Sequence, residues 1–376
     1  MRRLVLLLPL LLAPLAVAAQ ASAPPGTVAL PAGAVLRMLA SPAAPAVAVL
    51  DAGAEVEVLD VHGDWLRVRW GEVTGWVQPA ADAAAGSENA GPEAAELERA
   101  RRLLGDDARR LALGAFDLWT DVDDAALLAP LARLAAEVVD HYPRRYGLAP
   151  STGGDGRVGS LVLFAEAAAF EAFTAEAAEG FTGRTVGRLA ALGAAGRGRA
   201  ELHRLLVHEM VHLLNRVAFL VPPPPWLDEG LAGDLELTPI GDDGRLLPTR
   251  LDRQAVRTAG DGRAYGPLVA VERLLAEAAV GRMESLATLA GLDRADFDTS
   301  HRRLELYALA ALRVRFLLDG GGDDGALRAA DFRAALAAAA RGDGLGVPAS
   351  HADWERGFRI WLHDLGREIA AASPRR

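Results

Sequence analysis

The sequence predicts an α+β chain in two parts, a small all-β barrel and a larger domain in which a short sheet leads into one apolar helix and a mainly α-helical C-terminal half follows. Three observations carry this. Residues 55–77 alternate apolar and polar side chains around a tight-turn signal, His208-Glu209-x-x-His212 lies in an apolar pattern of helical spacing, and beyond Glu229 apolar residues recur every three or four positions. A length of 376 residues at 51% hydrophobic content is enough to bury a core in each part.

At the start, Met1-Arg2-Arg3 precedes an apolar run over residues 4–19 and small residues around Ala19-Gln20-Ala21, the pattern of a secretory signal peptide over residues 1–21. The run falls short of the ~20 residues that comfortably span a bilayer. A periplasmic or secreted protein with no membrane association after signal cleavage is therefore expected. The chain has no cysteine, which excludes a lipid-anchored lipoprotein, disulfide staples and thiolate ligands, so any metal must be held by His, Asp or Glu. A formal charge of −10 argues against nucleic acid as a partner.

Residues 26–78 read as all-β. Glu55-Val-Glu-Val-Leu-Asp-Val61 and Trp65-Leu-Arg-Val-Arg-Trp70 alternate, with Leu66, Val68 and Trp70 on one face, Gly63-Asp64 as the turn, and Gly75-Trp76-Val77 opening another strand. This order resembles a bacterial SH3 domain, which implies a small barrel that binds cell-wall material or peptides. Trp65, Trp70 and Trp76 are expected to be core or rim filler rather than ligand contacts, because so small a barrel needs bulk. Residues 79–95 are rich in Ala, Gly, Ser and Glu and read as a linker.

The larger domain spans residues 96–370. Strand character at 111–119, a helix over 124–146, a strand at 158–164, a helix over 166–178 and a third strand at 185–192 lead to the metal motif. A helix turns about 100° per residue, so His208 and His212 project from one face, roughly 6 Å apart along the axis, and can share one ion. Glu209 projects from a neighbouring direction, where it can act on water rather than bind the metal. Leu202, Leu205, Leu206, Met210, Leu213 and Val217 give this helix its buried side, and the prolines from Pro222 to Pro225 stop it. The chain must then turn and return as Trp226-Leu227-Asp228-Glu229-Gly230-Leu231-Ala232.

Over His208 to Ala232 the chain resembles the gluzincins, zinc peptidases of the MA type. The resemblance implies a zincin-like metallopeptidase fold, Zn²⁺ held by His208, His212 and Glu229, and Glu209 as general base. It also implies that an edge strand just before the motif helix, here residues 185–192, pairs with extended substrate, although an ordinary buried strand is an equal expectation. Two histidines and a carboxylate leave a tetrahedral zinc one open position, which suits catalysis rather than a closed structural site. Tyr307 and His301 are candidates to stabilise the developing oxyanion, with a core role as the alternative for Tyr307. His203 lies off the ligand face and is expected to be solvated, while Asp228 and Asp234 are candidates to orient a histidine, with an exposed carboxylate as the commoner expectation. Helices are expected at 267–279, 283–289, 302–318, 330–340 and 352–365. The function expected is an exported zinc peptidase acting on peptide or protein substrates. The alternative is a non-catalytic envelope-binding protein with an idle zincin scaffold, against which the presence of Glu209 speaks.

Overall fold

In a computed structural model of the chain, the structure describes residues 26–30, 34–38, 46–50, 54–62, 65–71, 73–78, 92–150, 156–174, 183–186, 188–219, 222–247, 266–299, 302–320, 324–343 and 351–372. The expected signal peptide, His301 and most of the expected linker lie outside the described residues. The chain divides into two compact units, Met1–Asn89 and Ala90–Arg376. Among the described residues no helix is long and apolar enough to cross a membrane.

The first unit is one antiparallel sheet of six strands, β1 (Gly26–Ala29), β2 (Val35–Arg37), β3 (Ala46–Val49), β4 (Glu55–His62), β5 (Trp65–Trp70) and β6 (Val73–Val77), in the order β1-β4-β5-β6-β2-β3. The β4–β5 register shifts between Val58 and Asp60, a bulge that increases local twist. Gly75 is required by a close approach, since a Cβ there would stand 2.7 Å from Leu36 Cγ and 2.8 Å from the Arg37 carbonyl. The core is aliphatic: Leu30, Leu36, Leu50, Val56, Val68 and Val77 are buried with Ala34. The expectation of tryptophan as core or rim filler is met in part. Trp65 and Trp76 are half-buried, as the rim half of that expectation has it, whereas Trp70 is exposed and the buried core holds no tryptophan among the described residues.

The second unit opens with α1 (Pro92–Leu104), so the segment read as linker already contains the start of a helix. A five-stranded mixed sheet follows in the order β10-β11-β9-β8-β7, built from β7 (Arg109–Leu113), β8 (Phe116–Thr120), β9 (Gly159–Phe164), β10 (Gly183–Val186) and β11 (Leu189–Gly193). The stretch read as one strand at 111–119 is thus an antiparallel hairpin, and β9 runs parallel to both β8 and β11. Side chains alternate between two buried layers. Leu161, Leu163, Ala190 and Leu192 join the main core, whereas Val162, Phe164, Leu189 and Ala191 join Ala100, Leu104 and Phe173 on the opposite face. Burial on both faces explains why these strands are continuously apolar.

The helix expected over 124–146 is two helices, α2 (Ala125–Leu128) and α3 (Leu131–Tyr146), parted around Pro130. Asp124 caps the first through hydrogen bonds from the Ala126 and Leu127 amides. After α4 (Ala167–Thr174) and the β10–β11 hairpin comes α5 (Arg199–Ala218), then α6 (Pro225–Glu236) with proline in its first turn. The helical remainder comprises α7 (Gly266–Ala279), α8 (Leu286–Ala290), α9 (Arg294–Thr299), α10 (Arg303–Asp319), α11 (Gly325–Ala340) and α12 (His351–Ala372). Sequence patterning found all of these except α9. The segment at 185–192 is two strands rather than one, and β10, not β11, forms the sheet edge.

Candidate metal centre

Helix α5 supplies His208, Glu209 and His212, and α6 packs against it to supply Glu229. The four side chains are buried. His208 Nε2 and His212 Nε2 are 3.0 Å apart, and Glu229 Oε2 lies 3.4 Å from each. An ion with ligand bonds of about 2.1 Å in tetrahedral geometry spaces its donors about 3.4 Å apart. The donor set therefore fits one small cation. Among the described residues, His208, His212 and Glu229 form the group of metal-ligating side chains whose donor atoms all lie within 4.8 Å of one another.

Each imidazole is oriented from behind. Glu236 Oε2 is 2.9 Å from His208 Nδ1, and Asp228 Oδ1 is 3.1 Å from His212 Nδ1. With Nδ1–H donating to a carboxylate, each Nε2 presents its lone pair to the centre. A second tier holds Asp228: Tyr142 donates to Asn215 Oδ1 at 2.7 Å, and Asn215 Nδ2 donates to Asp228 Oδ1 at 2.8 Å. Arg294 reaches in from α9, with Nη1 2.6 Å from Glu229 Oε1 and Nη2 2.9 Å from Asp228 Oδ2.

The electrostatics are those of a site built for positive charge. Burial disfavours the charged form of His208, but Glu229 and Glu236 outweigh it and push the imidazole up to about 10. Burial likewise opposes charge on His212, yet Asp228 and Glu229 hold its value well above the ordinary one. Burial resists ionisation of Glu229 and Asp228 as well, but the neighbouring histidines keep Glu229 well below the usual carboxylate range and Asp228 at about 2. A metal ion would supply the positive charge that the buried carboxylates otherwise draw from imidazolium.

Asp234, a candidate to orient a histidine or else an exposed carboxylate, is neither, being fully buried. It accepts from Arg145, Arg315 and Tyr146 in the interior between α3, α6 and α10, with Arg315 Nε at 3.0 Å and Tyr146 Oη at 2.9 Å. Arg145 also reaches Asp319 at 2.7 Å. His203 is buried, not solvated, with Nε2 3.0 Å from the Leu127 carbonyl. Tyr307, near the start of α10, is half-buried and stacks on Phe297 of α9 with ring centroids 5.3 Å apart. Glu236 and Arg294 were not found from sequence. Seven residues separate Glu229 from Glu236, which places them on one helix face, and Asp293 caps α9 through the Asp296 amide at 2.7 Å, a start signal that the sequence does carry.

Comparison with known proteins bears on the first unit. Residues 32–82 match the family model of the bacterial SH3 domain. The match covers β2 to β6 of the antiparallel unit, so this segment is a bacterial SH3 domain by sequence and holds most of the aliphatic core described above. No curated protein matches the chain.

Proposed function

We propose that the second unit is a zinc-dependent peptidase of the gluzincin kind, with a zincin-like fold, and that the chain is exported by the signal peptide expected over residues 1–21. The observation that carries this reading is the convergence of His208 Nε2, His212 Nε2 and Glu229 Oε2 beside buried Glu209. A nitrogen-rich donor set disfavours the hard ions Ca²⁺ and Mg²⁺ and suits Zn²⁺. Bound there, zinc would supply Lewis acidity and lower the pKa of water to about 7.

The protein's own groups do the rest. Glu236 and Asp228 fix the tautomers of His208 and His212 through Nδ1. Glu209 takes a proton from the water that attacks the scissile carbonyl carbon and delivers it to the departing amine nitrogen, so that a C–O bond forms as the C–N bond breaks. Tyr307 is assigned to the developing oxyanion, its ring held flat against Phe297. Edge strand β10, which precedes the motif helix, is assigned to pair with extended peptide or protein substrate. The SH3 domain is assigned to cell-wall material, as bacterial SH3 domains often bind it.

Zinc content per chain tests the reading. Wild type should carry about one zinc, Glu229→Ala far less, and Glu209→Ala should keep its zinc while losing peptide hydrolysis. No zinc in wild type after metal-replete purification would overturn the metal centre and leave an envelope-binding protein. Undiminished hydrolysis in Glu209→Ala would overturn the mechanism.

A further inference from the structure

We propose that Arg294 is a positioning residue that holds Glu229 as a one-oxygen ligand and thereby keeps a coordination position of the metal centre open. The inference rests on the metal reading given above. Its basis is the way two adjacent carboxylates divide their oxygens. Glu229 turns Oε2 toward both histidines, 3.4 Å from each Nε2, and gives Oε1 to Arg294 Nη1 at 2.6 Å. Asp228 turns Oδ1 toward His212 Nδ1 and Asn215, and gives Oδ2 to Arg294 Nη2 at 2.9 Å. One guanidinium therefore occupies the oxygen that each carboxylate does not turn inward, and its planar fork matches two acceptors side by side.

A carboxylate can bind a cation through one oxygen or through both. If Glu229 Oε1 were released it could swing onto the ion as a further ligand and fill the place that water needs in a catalytic site. Arg294 makes that swing costly, because it would break a charge-assisted hydrogen bond to a buried carboxylate. The residue opens α9, beyond the long segment that follows α6, so the clasp also ties the helical C-terminal half to the centre. Its side chain is 43% exposed and belongs to none of the apolar core clusters, so replacing it opens no cavity in them.

A role confined to charge and a role in geometry predict different results. Removing a cation beside the site would by charge alone tighten metal binding and leave the coordination number as it was. Removing a clasp changes the coordination number. The experiment loads the full chain with Co²⁺ and compares the visible d–d absorption of wild type, Arg294→Ala and Arg294→Lys at one ion per chain, since band intensity and position report coordination geometry. Wild type should give the intense bands of a four-coordinate ion. Arg294→Ala should lose intensity toward the weaker bands of a five-coordinate one, and Arg294→Lys, which keeps the charge but not the fork, should fall between them. Superimposable spectra in wild type and Arg294→Ala would overturn the proposal. Should Arg294→Ala fail to fold, Arg294→Lys serves the same comparison, and a spectrum identical to wild type would again overturn it. Failure of wild type itself to take up Co²⁺ or Zn²⁺ overturns the metal reading and this inference with it, an outcome that the wild-type sample alone reveals.

Discussion

Glu236 Oε2 stands 2.9 Å from Nδ1 of His208, so the helix that delivers the candidate ligand Glu229 also delivers, two turns later, the carboxylate that aims the first histidine. The pair is buried. Removing such a partner usually costs 10–100-fold in metal affinity or activity. On the proposed zinc reading, Glu236→Ala should weaken metal binding by about 10–100-fold, read by competition with a coloured chelator. Glu236→Gln, which keeps an acceptor oxygen but loses the charge, should lie between that variant and wild type. Wild-type affinity in Glu236→Ala would mean that packing alone orients His208.

The close approach of α6 and α10 depends on residues without side chains. A Cβ on Gly230 would meet Val314 Cγ2 at 2.8 Å and the Ala310 carbonyl at 2.9 Å, and one on Gly233 would meet Ala311 Cβ at 2.7 Å. Alanine gains about 1 kcal/mol over glycine in a helix interior, but overpacking a fixed carbonyl costs about 1–3 kcal/mol. The clash should win. Gly230→Ala should lower stability by up to about 2 kcal/mol, seen as a lower urea midpoint at unchanged slope. A midpoint at or above that of wild type would show that the two helices can separate without cost.

These features mark where the sequence was informative. The spacing of His208 and His212 is a property of one helix, so it was legible directly, and Glu229 was reached through its resemblance to a motif. Glu236 was not, because its role depends on how α6 crosses α5, a tertiary relation that no local pattern contains. Arg294 was missed for a different reason: α9 spans only Arg294–Thr299, too short for periodicity to register. In the sheet, β9 and β11 are apolar on both faces, so their sequence announces burial but not which strand is the edge. Trp70 misled by size, since the buried core of the first unit is aliphatic and the ring stands at its surface.

Asp234 makes stability depend on pH. Burial resists its charge, but Arg145 and Arg315 outweigh it and hold the carboxyl at about 2 against an ordinary 3.8. A folded value below the unfolded one means that the stabilisation is fully present above about 4 and is lost as pH falls toward about 2. That gap corresponds to roughly 2 kcal/mol. Asp234→Asn removes this contribution and leaves two buried guanidinium groups short of a counter-charge, which should cost about 3–5 kcal/mol at pH 7. The difference from wild type should narrow as pH drops from about 4 to about 2. Denaturant midpoints of both proteins at pH 7 and pH 3 test this, and a difference unchanged between the two pH values would place the cost elsewhere than in the carboxylate charge.

In the SH3 domain the cost of truncation should run opposite to side-chain size. Leu36 is fully buried and occupies the space that the missing Cβ of Gly75 leaves, whereas Trp70 is 36% exposed. Leu36→Ala opens a cavity and should cost about 2–5 kcal/mol; Trp70→Ala, a surface change, should stay within about 0.5 kcal/mol. Hydrogen exchange of the β5 and β6 amides in the full chain reads both. Protection should fall by more than an order of magnitude in Leu36→Ala and by no more than about twofold in Trp70→Ala. If Trp70→Ala keeps its protection yet sediments less with purified cell-wall material, the exposed ring serves the ligand and not the barrel. A large loss of protection in Trp70→Ala would instead return the tryptophan to the fold.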